Sequence, residues 1–492
     1  MRLPLRVLGG VRPWMLSSLA ALVLAVVCLG SAGDWFLSDD YVLIGEIARS
    51  GPYATWGRDT GGFLRPLAIL SLSADYGIGG LSPLCYHLTG TLLHILCAIG
   101  VGLLAGEALG RGPEGVRRRT ALAAGLLFGV LPSRSEPLCW ISGRADLLAG
   151  LFGIFSVLAY LRSLRLKSRA WGAAAVLLLA LGLGAKESLV TLPLVWLASG
   201  LAAGRRPGRR GLATAAGGVL VLGGYLAARK LTLGVFAGGL GTARHSALAD
   251  AAVAENLVRY LLRVFVPPLD EPRAAAASGA MLLLLAGWAS AAAVRGRLRM
   301  KGLRAPLLWG LCFLTALLPV LSLAMGVMDT QSERYLYLPG VFAVIGLVAL
   351  ARRAMGTRAA GWFLAALTVV SAAGLYSTSR RWGVAADLSR RLSAEAALLD
   401  PSSDVIINLP DHYRGAYVFR NGLEEACTIF RGAEAAPRLL HLHGMDRPGA
   451  RYGAEVLGER VKLILPDTSL VFERRAGMDY YLFDGGRLRP AG

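Results

Sequence analysis

Long apolar runs separated by short polar gaps fill residues 1–377, and the pattern changes beyond them. A helix that crosses a bilayer needs about 20 mostly apolar residues, because the hydrocarbon core is about 30 Å thick. Runs of that kind begin near Trp14, Leu84, Ala121, Leu147, Trp171, Leu189, Leu212, Ala274, Ala305, Leu336 and Gly361, which makes eleven. The pattern predicts an all-α polytopic membrane domain over residues 1–377. Residues 256–268 are apolar but short and carry Arg259 and Arg263, so they read as a helix lying in the outer interface rather than a further span. The first run follows Arg2, Arg6 and Arg12 and ends in small residues, as a signal peptide would. Its length from Trp14 to Gly33 exceeds a usual signal core and favours retention as a span.

Residues 378–492 contain no run long enough to span. Short β-like runs at Val405–Ile407, Tyr417–Phe419, Val461–Leu465, Leu470–Phe472 and Tyr480–Phe483 alternate with Gly and Pro. Short helices are expected at Glu395–Leu399 and Leu423–Arg431. The segment reads as a small α/β or β-rich domain. No period of 33–47 residues is visible, which argues against a solenoid.

Composition agrees with the spans: 55% of residues are hydrophobic and 17% charged, against about 25% charged in an ordinary soluble domain. The net charge of +20 first suggests nucleic acid. The positions of the basic residues argue otherwise. They cluster at Arg2–Arg12, Arg111–Arg119, Arg162–Arg169, Arg205–Arg210, Arg295–Arg304 and Arg352–Arg358, in every second gap. That is the positive-inside pattern. It places the N-terminus in the cytoplasm and residues 34–83, 133–145, 185–188, 230–272, 326–335 and 378–492 outside. No nucleic-acid partner is needed. The six cysteines show no CxxC or metal spacing and read as small hydrophobes.

Polar residues near hydrocarbon are costly and mark functional sites. Here they gather in the outward loops: Asp34, Asp39 and Asp40, then Arg65; Glu136, Arg144 and Asp146; Lys186 and Glu187; Glu333 and Arg334. Carboxylates can take a proton from an acceptor, and Arg or Lys can hold a phosphate. The plain alternative is that neighbouring acids and bases pair: Asp146 with Arg144, Glu187 with Lys186, Glu333 with Arg334. Asp39 and Asp40 resist that reading, since no basic residue lies within eight positions of them. His87 and His94 share one face of the second span, as a metal pair, a proton relay or interhelical hydrogen-bond partners would.

These strings, in this order, resemble a known family. They are Asp39-Asp40; Arg65-Pro66-Leu67; Asp75-Tyr76; Tyr86-His87-Leu88 with His94; Ser135-Glu136-Pro137; Trp140-Ile141-Ser142-Gly143-Arg144-Ala145-Asp146; Lys186-Glu187-Ser188; and Glu333-Arg334-Tyr335-Leu336-Tyr337-Leu338-Pro339. Over roughly residues 30–350 the chain resembles the membrane part of the transmembrane and tetratricopeptide repeat O-mannosyltransferases. Those are grouped with the protein O-mannosyltransferases among the GT-C glycosyltransferases. Two features depart from the family: Leu131 stands before Pro132 where a His is usual, and residues 378–492 replace the repeats.

The resemblance implies a GT-C-like fold and an enzyme of a bacterial inner membrane. It implies transfer of a sugar from a polyprenyl-phosphate donor to an extracytoplasmic acceptor, with inversion. The acceptor stays open between protein Ser/Thr, a lipid and a polysaccharide. By resemblance Asp40 or Asp39 is the base, and Arg144, Lys186, Arg334 and, more weakly, Arg65 bind the donor phosphate. Glu136, Asp146, Glu187, Glu333, His87 and His94 support them. No cofactor is called for, and a divalent cation is left open. Two other classes compete: a transporter or flippase of lipid-linked glycans, disfavoured because the charges avoid mid-span, and a non-catalytic scaffold, for which Asp39 and Asp40 would be replaceable.

Overall fold

The computed structural model describes residues 33–51, 63–110, 113–236, 251–269, 300–431, 436–445, 453–465 and 468–491, with isolated residues 18, 22, 25, 26, 31 and 276. The expected first span, the run beginning near Ala274 and the basic residues at 2–12 and 295–299 lie outside the described residues.

Two short helices, α1 (Asp39–Ser50) and α2 (Pro66–Gly79), precede the first long apolar helix of the described residues. Then follow α3 (Pro83–Leu109), α4 (Glu114–Gly129), α5 (Ser135–Cys139), α6 (Arg144–Leu166), α7 (Arg169–Ala185), α8 (Leu192–Ala202), α9 (Gly208–Leu233), α10 (Ala251–Arg263) and α11 (Met300–Leu317). Proline opens α2 and α3, where its missing N–H costs nothing. Among the described residues five helices are long and apolar enough to cross a membrane: Pro83–Leu109, Ile141–Leu166, Gly208–Leu233, Leu303–Val320 and Pro339–Ala396; Arg169–Ala185 and Glu187–Ala202 are shorter apolar helices. The chain is a multi-pass membrane protein. The central helix is α6, packed against α3, α7 and α8.

The last helix, α12 (Pro339–Ala396), breaks once, at Gly356, whose φ is 77°. Beyond that break it runs unbroken to Ala396, about 60 Å at 1.5 Å per residue. That is about twice the hydrocarbon thickness, so its far end carries the chain away from the apolar layer. Leu375, Trp382, Ala385, Ala386, Leu388, Leu392 and Ala396 are buried along one stripe.

The strands of the described residues all lie C-terminal to α12. They are β1 (Asp404–Ile406), β2 (Leu409–Tyr413), β3 (Ala416–Tyr417), β4 (Arg438–Leu439), β5 (Leu442–Met445), β6 (Gly453–Leu457), β7 (Arg460–Ile464), β8 (Ser469–Glu473), β9 (Asp479–Asp484) and β10 (Arg487–Pro490), with one helix, α13 (Leu423–Arg431). Three small sheets result, ordered β10-β9-β1-β4, β3-β2-β5 and β6-β7-β8. β1 pairs in parallel with both β4 and β9, whereas β6, β7 and β8 form an antiparallel meander.

One hydrophobic core holds the spanning helices together. A second joins Phe36, Leu37, Tyr41 and Trp140 to Leu375 and Trp382 of α12 and to Tyr417, Phe419 and Cys427 of the C-terminal region. The strand-bearing region is thus packed onto the ends of the helices rather than tethered beside them.

Candidate functional site

The helix ends separate the charged residues into two sets. At the far end of α3, Glu107 receives Arg165 at 2.9 Å and Arg205 at 2.8 Å, and Arg352 donates to Thr120 at 2.7 Å. These come from three of the basic gaps. The residues singled out as chemical candidates gather at the opposite end.

Asp40 sits in the first turn of α1 and is 1% exposed. The Ser142 amide and hydroxyl both donate to its Oδ1, at 2.7 and 2.5 Å, and the Leu37 amide donates to Oδ2 at 3.1 Å. Burial pushes the carboxyl up to about 7; the Ser142 and Leu37 hydrogen bonds pull it down, and neighbouring Asp39 adds a smaller upward push. Asp39 is half-buried and accepts from the Asn421 side-chain amide at 2.6 Å. Ser38, just before them, has φ 48° and ψ −115°, a conformation that costs a non-glycine residue about 1–3 kcal/mol.

The cations of the candidate set are paired, but not with their neighbours in sequence. Lys186 Nζ lies 2.6 Å from both oxygens of Asp146. Arg65 grips Glu187 with Nε at 3.0 Å and Nη2 at 2.5 Å. Arg334 pairs with Glu136, whose Oε2 also accepts the Arg334 amide at 2.7 Å. Glu333 pairs instead with Arg263 of α10 and accepts from Ser135 Oγ at 2.8 Å. Burial raises Glu333 to about 7 although Arg263 pulls it down, and it raises Glu136 against the pull of Arg334. The expected local pairs (Asp146 with Arg144, Glu187 with Lys186, Glu333 with Arg334) are therefore replaced by crossed pairs between loops. Two adjacent side chains leave the backbone in different directions, so each finds its partner elsewhere.

Aromatic rings enclose the Arg334 guanidinium: Trp140, Tyr335 and Tyr417 have centroids 5.0, 4.7 and 6.0 Å from its central carbon. Trp140 also donates from its indole to Leu37 O at 3.3 Å, so it touches both the Asp40 turn and Arg334. A narrow cleft opens here, lined by Asp146, Gly150, Ser188, Arg334, Tyr335 and Tyr337 among others. A side chain at Gly150 would strike the Tyr337 ring. Arg134, fully buried, donates to the carbonyls of Leu336 and Tyr337 at 3.2 and 2.9 Å and fixes the turn that carries Arg334.

Arg144 is not among the residues that line the cleft. It is 1% exposed, with Nη1 2.7 Å from Asp75 Oδ2 and 2.8 Å from Ser71 Oγ, and Nη2 2.7 Å from Tyr86 O. Asp75, the partner, stands on α2 and was legible only as part of a motif. The two histidines share no ligand: His87 Nε2 meets Asp34 O at 3.1 Å, and His94 meets Tyr337 OH at 2.7 Å and Gly129 O at 2.9 Å. They bond between segments. Among the described residues no group of three or more His, Cys, Asp or Glu is placed to hold a metal ion. Tyr417 and Asn421, which no motif marks, reach the site from the C-terminal region.

No known family profile matches the chain. It is 34% identical to protein O-mannosyl-transferase Tmtc1 of Drosophila melanogaster over 183 residues, 34% of this chain and 20% of that protein. It is 33% identical to Tmtc2 of the same organism over 191 residues, 35% of this chain and 20% of that one, and 37% identical to human TMTC2 over 114 residues, 22% and 13%. The match spans a fifth or less of the length of these relatives. Among solved structures, ArnT from Cupriavidus metallidurans in the apo state aligns with TM-score 0.49 at 13% identity, over 86% of this chain and 85% of that one. By sequence, over about a third of its length, the chain is similar to protein O-mannosyl-transferases.

Proposed function

We propose that the chain is a membrane glycosyltransferase that moves a sugar from a polyprenyl phosphate to an acceptor hydroxyl on the extracytoplasmic side, with inversion. The observation that carries this reading is the site's composition. A buried carboxylate with proton affinity near neutrality and three paired cations, Arg65, Lys186 and Arg334, lie at the same end of an apolar helical layer, with Trp140 touching both the Asp40 turn and Arg334.

The chemistry follows from the parts. Asp40 takes the proton of the acceptor hydroxyl as its oxygen attacks the anomeric carbon. The bond from that carbon to the phosphate oxygen breaks, and its electron pair leaves with the polyprenyl phosphate. Cations near the leaving oxygens neutralise the charge that develops there. A general base works best with a pKa near the operating pH, which suits Asp40. A single displacement inverts the anomeric centre. Arg334 and Lys186 line or border the cleft and are the first phosphate-binding candidates, with Arg65 behind them. Arg144 is better placed to hold α2 and α6 together.

The basic gaps at the opposite helix ends support a cytoplasmic N-terminus and an extracytoplasmic C-terminal region. The names of the relatives make mannose the first sugar to test and protein Ser/Thr the first acceptor. The test is purified protein in nanodiscs given a short-chain polyprenyl-phosphate mannose and a Ser/Thr-containing peptide. The expected result is donor consumption that depends on Asp40. No transfer or donor hydrolysis by the wild type, or full activity in both Asp40→Asn and Asp39→Asn, would overturn the reading.

A further inference from the structure

The C-terminal region reaches the candidate site at two points that lie close together in sequence. Asn421 uses both ends of its side chain on the carboxylate turn: its amide N–H donates to Asp39 Oδ1 at 2.6 Å, and its carbonyl oxygen accepts from Ser38 Oγ at 2.8 Å. The Ser38 amide donates to Val418 O at 3.0 Å. Phe419 stacks on Tyr41, with ring centroids 5.9 Å apart and planes 3° from parallel. Gly422, at φ 85°, packs so closely that a side chain there would meet Ser38 O at 2.8 Å. Ser38 is therefore held in its positive-φ conformation by groups from 418–422. A strained residue persists where its surroundings over-determine it.

At the other point Tyr417 OH accepts from Arg334 Nη1 at 3.2 Å, and its ring lies 5.0 Å from that of Trp140. Thr330, just before the Arg334 turn, donates its amide and hydroxyl to Gly415 O at 3.0 and 2.7 Å. One stretch of chain thus touches the proposed base turn and the proposed phosphate-binding turn, which are about 300 residues apart in sequence.

We infer that residues 415–422 are a clamp that completes the site, with Asn421 positioning the Asp39–Asp40 turn and Tyr417 positioning Arg334. This rests on the glycosyltransferase reading for its catalytic consequence, but the clamp itself can be measured without substrate. Each acts through a neighbour: Asn421 through Ser38 and Asp39, Tyr417 through Arg334. An aspartate at 421 would face Asp39 with like charge and should disturb the turn more than alanine does.

The experiment uses the full chain in nanodiscs. Amide hydrogen exchange comes first. In Asn421→Ala, exchange over residues 37–41 should speed up roughly tenfold, with more in Asn421→Asp, while α6 stays unchanged. Unchanged exchange over 37–41 overturns the clamp, whatever the activity. With polyprenyl-phosphate mannose and peptide, Asn421→Ala should lower kcat roughly tenfold at unchanged donor KM. Tyr417→Phe, which keeps the ring and loses only the hydroxyl, should instead raise donor KM roughly threefold at similar kcat. Wild-type constants in either variant overturn that residue's positioning role. A wild-type chain inactive on the donor overturns the glycosyltransferase reading and the catalytic consequence with it, and the exchange data then decide the clamp alone. If Asn421→Ala does not fold, the milder Tyr417→Phe decides: faster exchange over 333–337 supports the clamp, and unchanged exchange overturns it.

Discussion

Ser142 gives both of its donors to one oxygen of Asp40, the amide at 2.7 Å and the hydroxyl at 2.5 Å. The two residues come from segments about a hundred positions apart, so this contact welds the start of α1 to the turn that opens α6. It also favours the charged form of a carboxylate that burial works to neutralise.

Asp40→Asn is expected to reduce transfer by about 10²–10⁴-fold, the usual cost of losing a positioned base. Asn keeps the shape and can still accept from Leu37 or Ser142, so insertion and donor binding should survive. Asp39→Asn should lose less, because Asp39 is half-exposed and has a single hydrogen bond to Asn421 among those described. Transfer assays with donor binding measured in parallel decide it. Equal, near-normal rates in both variants would remove the base from this turn.

The pH profile should show an acid limb with a midpoint near 7, where Asp40 gains its charge. Ser142→Ala removes a hydrogen bond to the charged form, so the midpoint should move upward. The stability consequence has a definite sign. A carboxyl whose folded pKa lies above its unfolded value of 3.8 contributes stability that is complete below 3.8 and is lost as pH rises through about 7. Asp40→Asn should therefore melt higher than wild type at pH 8 and show a smaller difference near pH 4. A limb that stays put in Ser142→Ala would assign the titration to another group.

Two arginine-to-lysine changes should behave differently. Arg334 faces the cleft among three aromatic rings, and lysine cannot reproduce a flat guanidinium there. Arg334→Lys should lower transfer about tenfold, or about 1.4 kcal/mol, with little change in melting. Arg144 is buried against Asp75, Ser71 and Tyr86 O. Arg144→Met would leave the Asp75 charge without a cation in the interior, with the Thr89 hydroxyl still donating to it at 2.6 Å, a loss of about 3–5 kcal/mol, and Arg144→Lys should lose stability and activity together. Activity lost without stability in Arg144→Lys would return this residue to the donor phosphate.

Two of the apolar runs, those beginning near Leu84 and Leu212, are found as helices long enough to span, Pro83–Leu109 and Gly208–Leu233. Helix α13 was legible too, because Leu423, Ala426, Cys427 and Phe430 repeat at helical spacing. The far end of α12 was harder. Past Tyr376 the arginines and serines lower the hydropathy, yet Ser379, Trp382, Ala386, Ser389 and Ser393 keep the helical period and bury that face. Apolar content falls there while periodicity persists, and a reading based on runs ends the helix early.

The identities of the site's charged residues were legible, but their partners were not. Arg144 and Asp146 are two apart on α6, and residues at that spacing do not face each other on a helix. Each looked outward instead, to Asp75 and to Lys186. Tyr417 and Asn421 carried no signal at all, since nothing local marks a tyrosine in a short strand or an asparagine in a turn as belonging to a distant carboxylate.

The last prediction separates the two uses of Lys186. Its ammonium is buried and lies 2.6 Å from both oxygens of Asp146, over the Tyr335 ring at 5.3 Å. If the pair only ties α6 to the end of α7, removing either partner strands a buried charge, and Lys186→Met and Asp146→Asn should lose stability alike. If Lys186 trades its carboxylate for the donor phosphate, the two variants diverge. Lys186→Met loses a phosphate partner, so donor KM should rise about tenfold. Asp146→Asn removes the competitor for the ammonium and the negative charge that borders the cleft, so donor KM should hold or fall. Melting in detergent, measured beside donor KM with the same short-chain polyprenyl-phosphate mannose, tells the cases apart. A parallel rise in KM that tracks a parallel fall in melting temperature would make the pair structural. Opposite movements of KM at similar melting temperature would place Lys186 on the phosphate, because an ion pair with no second partner has no reason to respond to the donor in opposite senses.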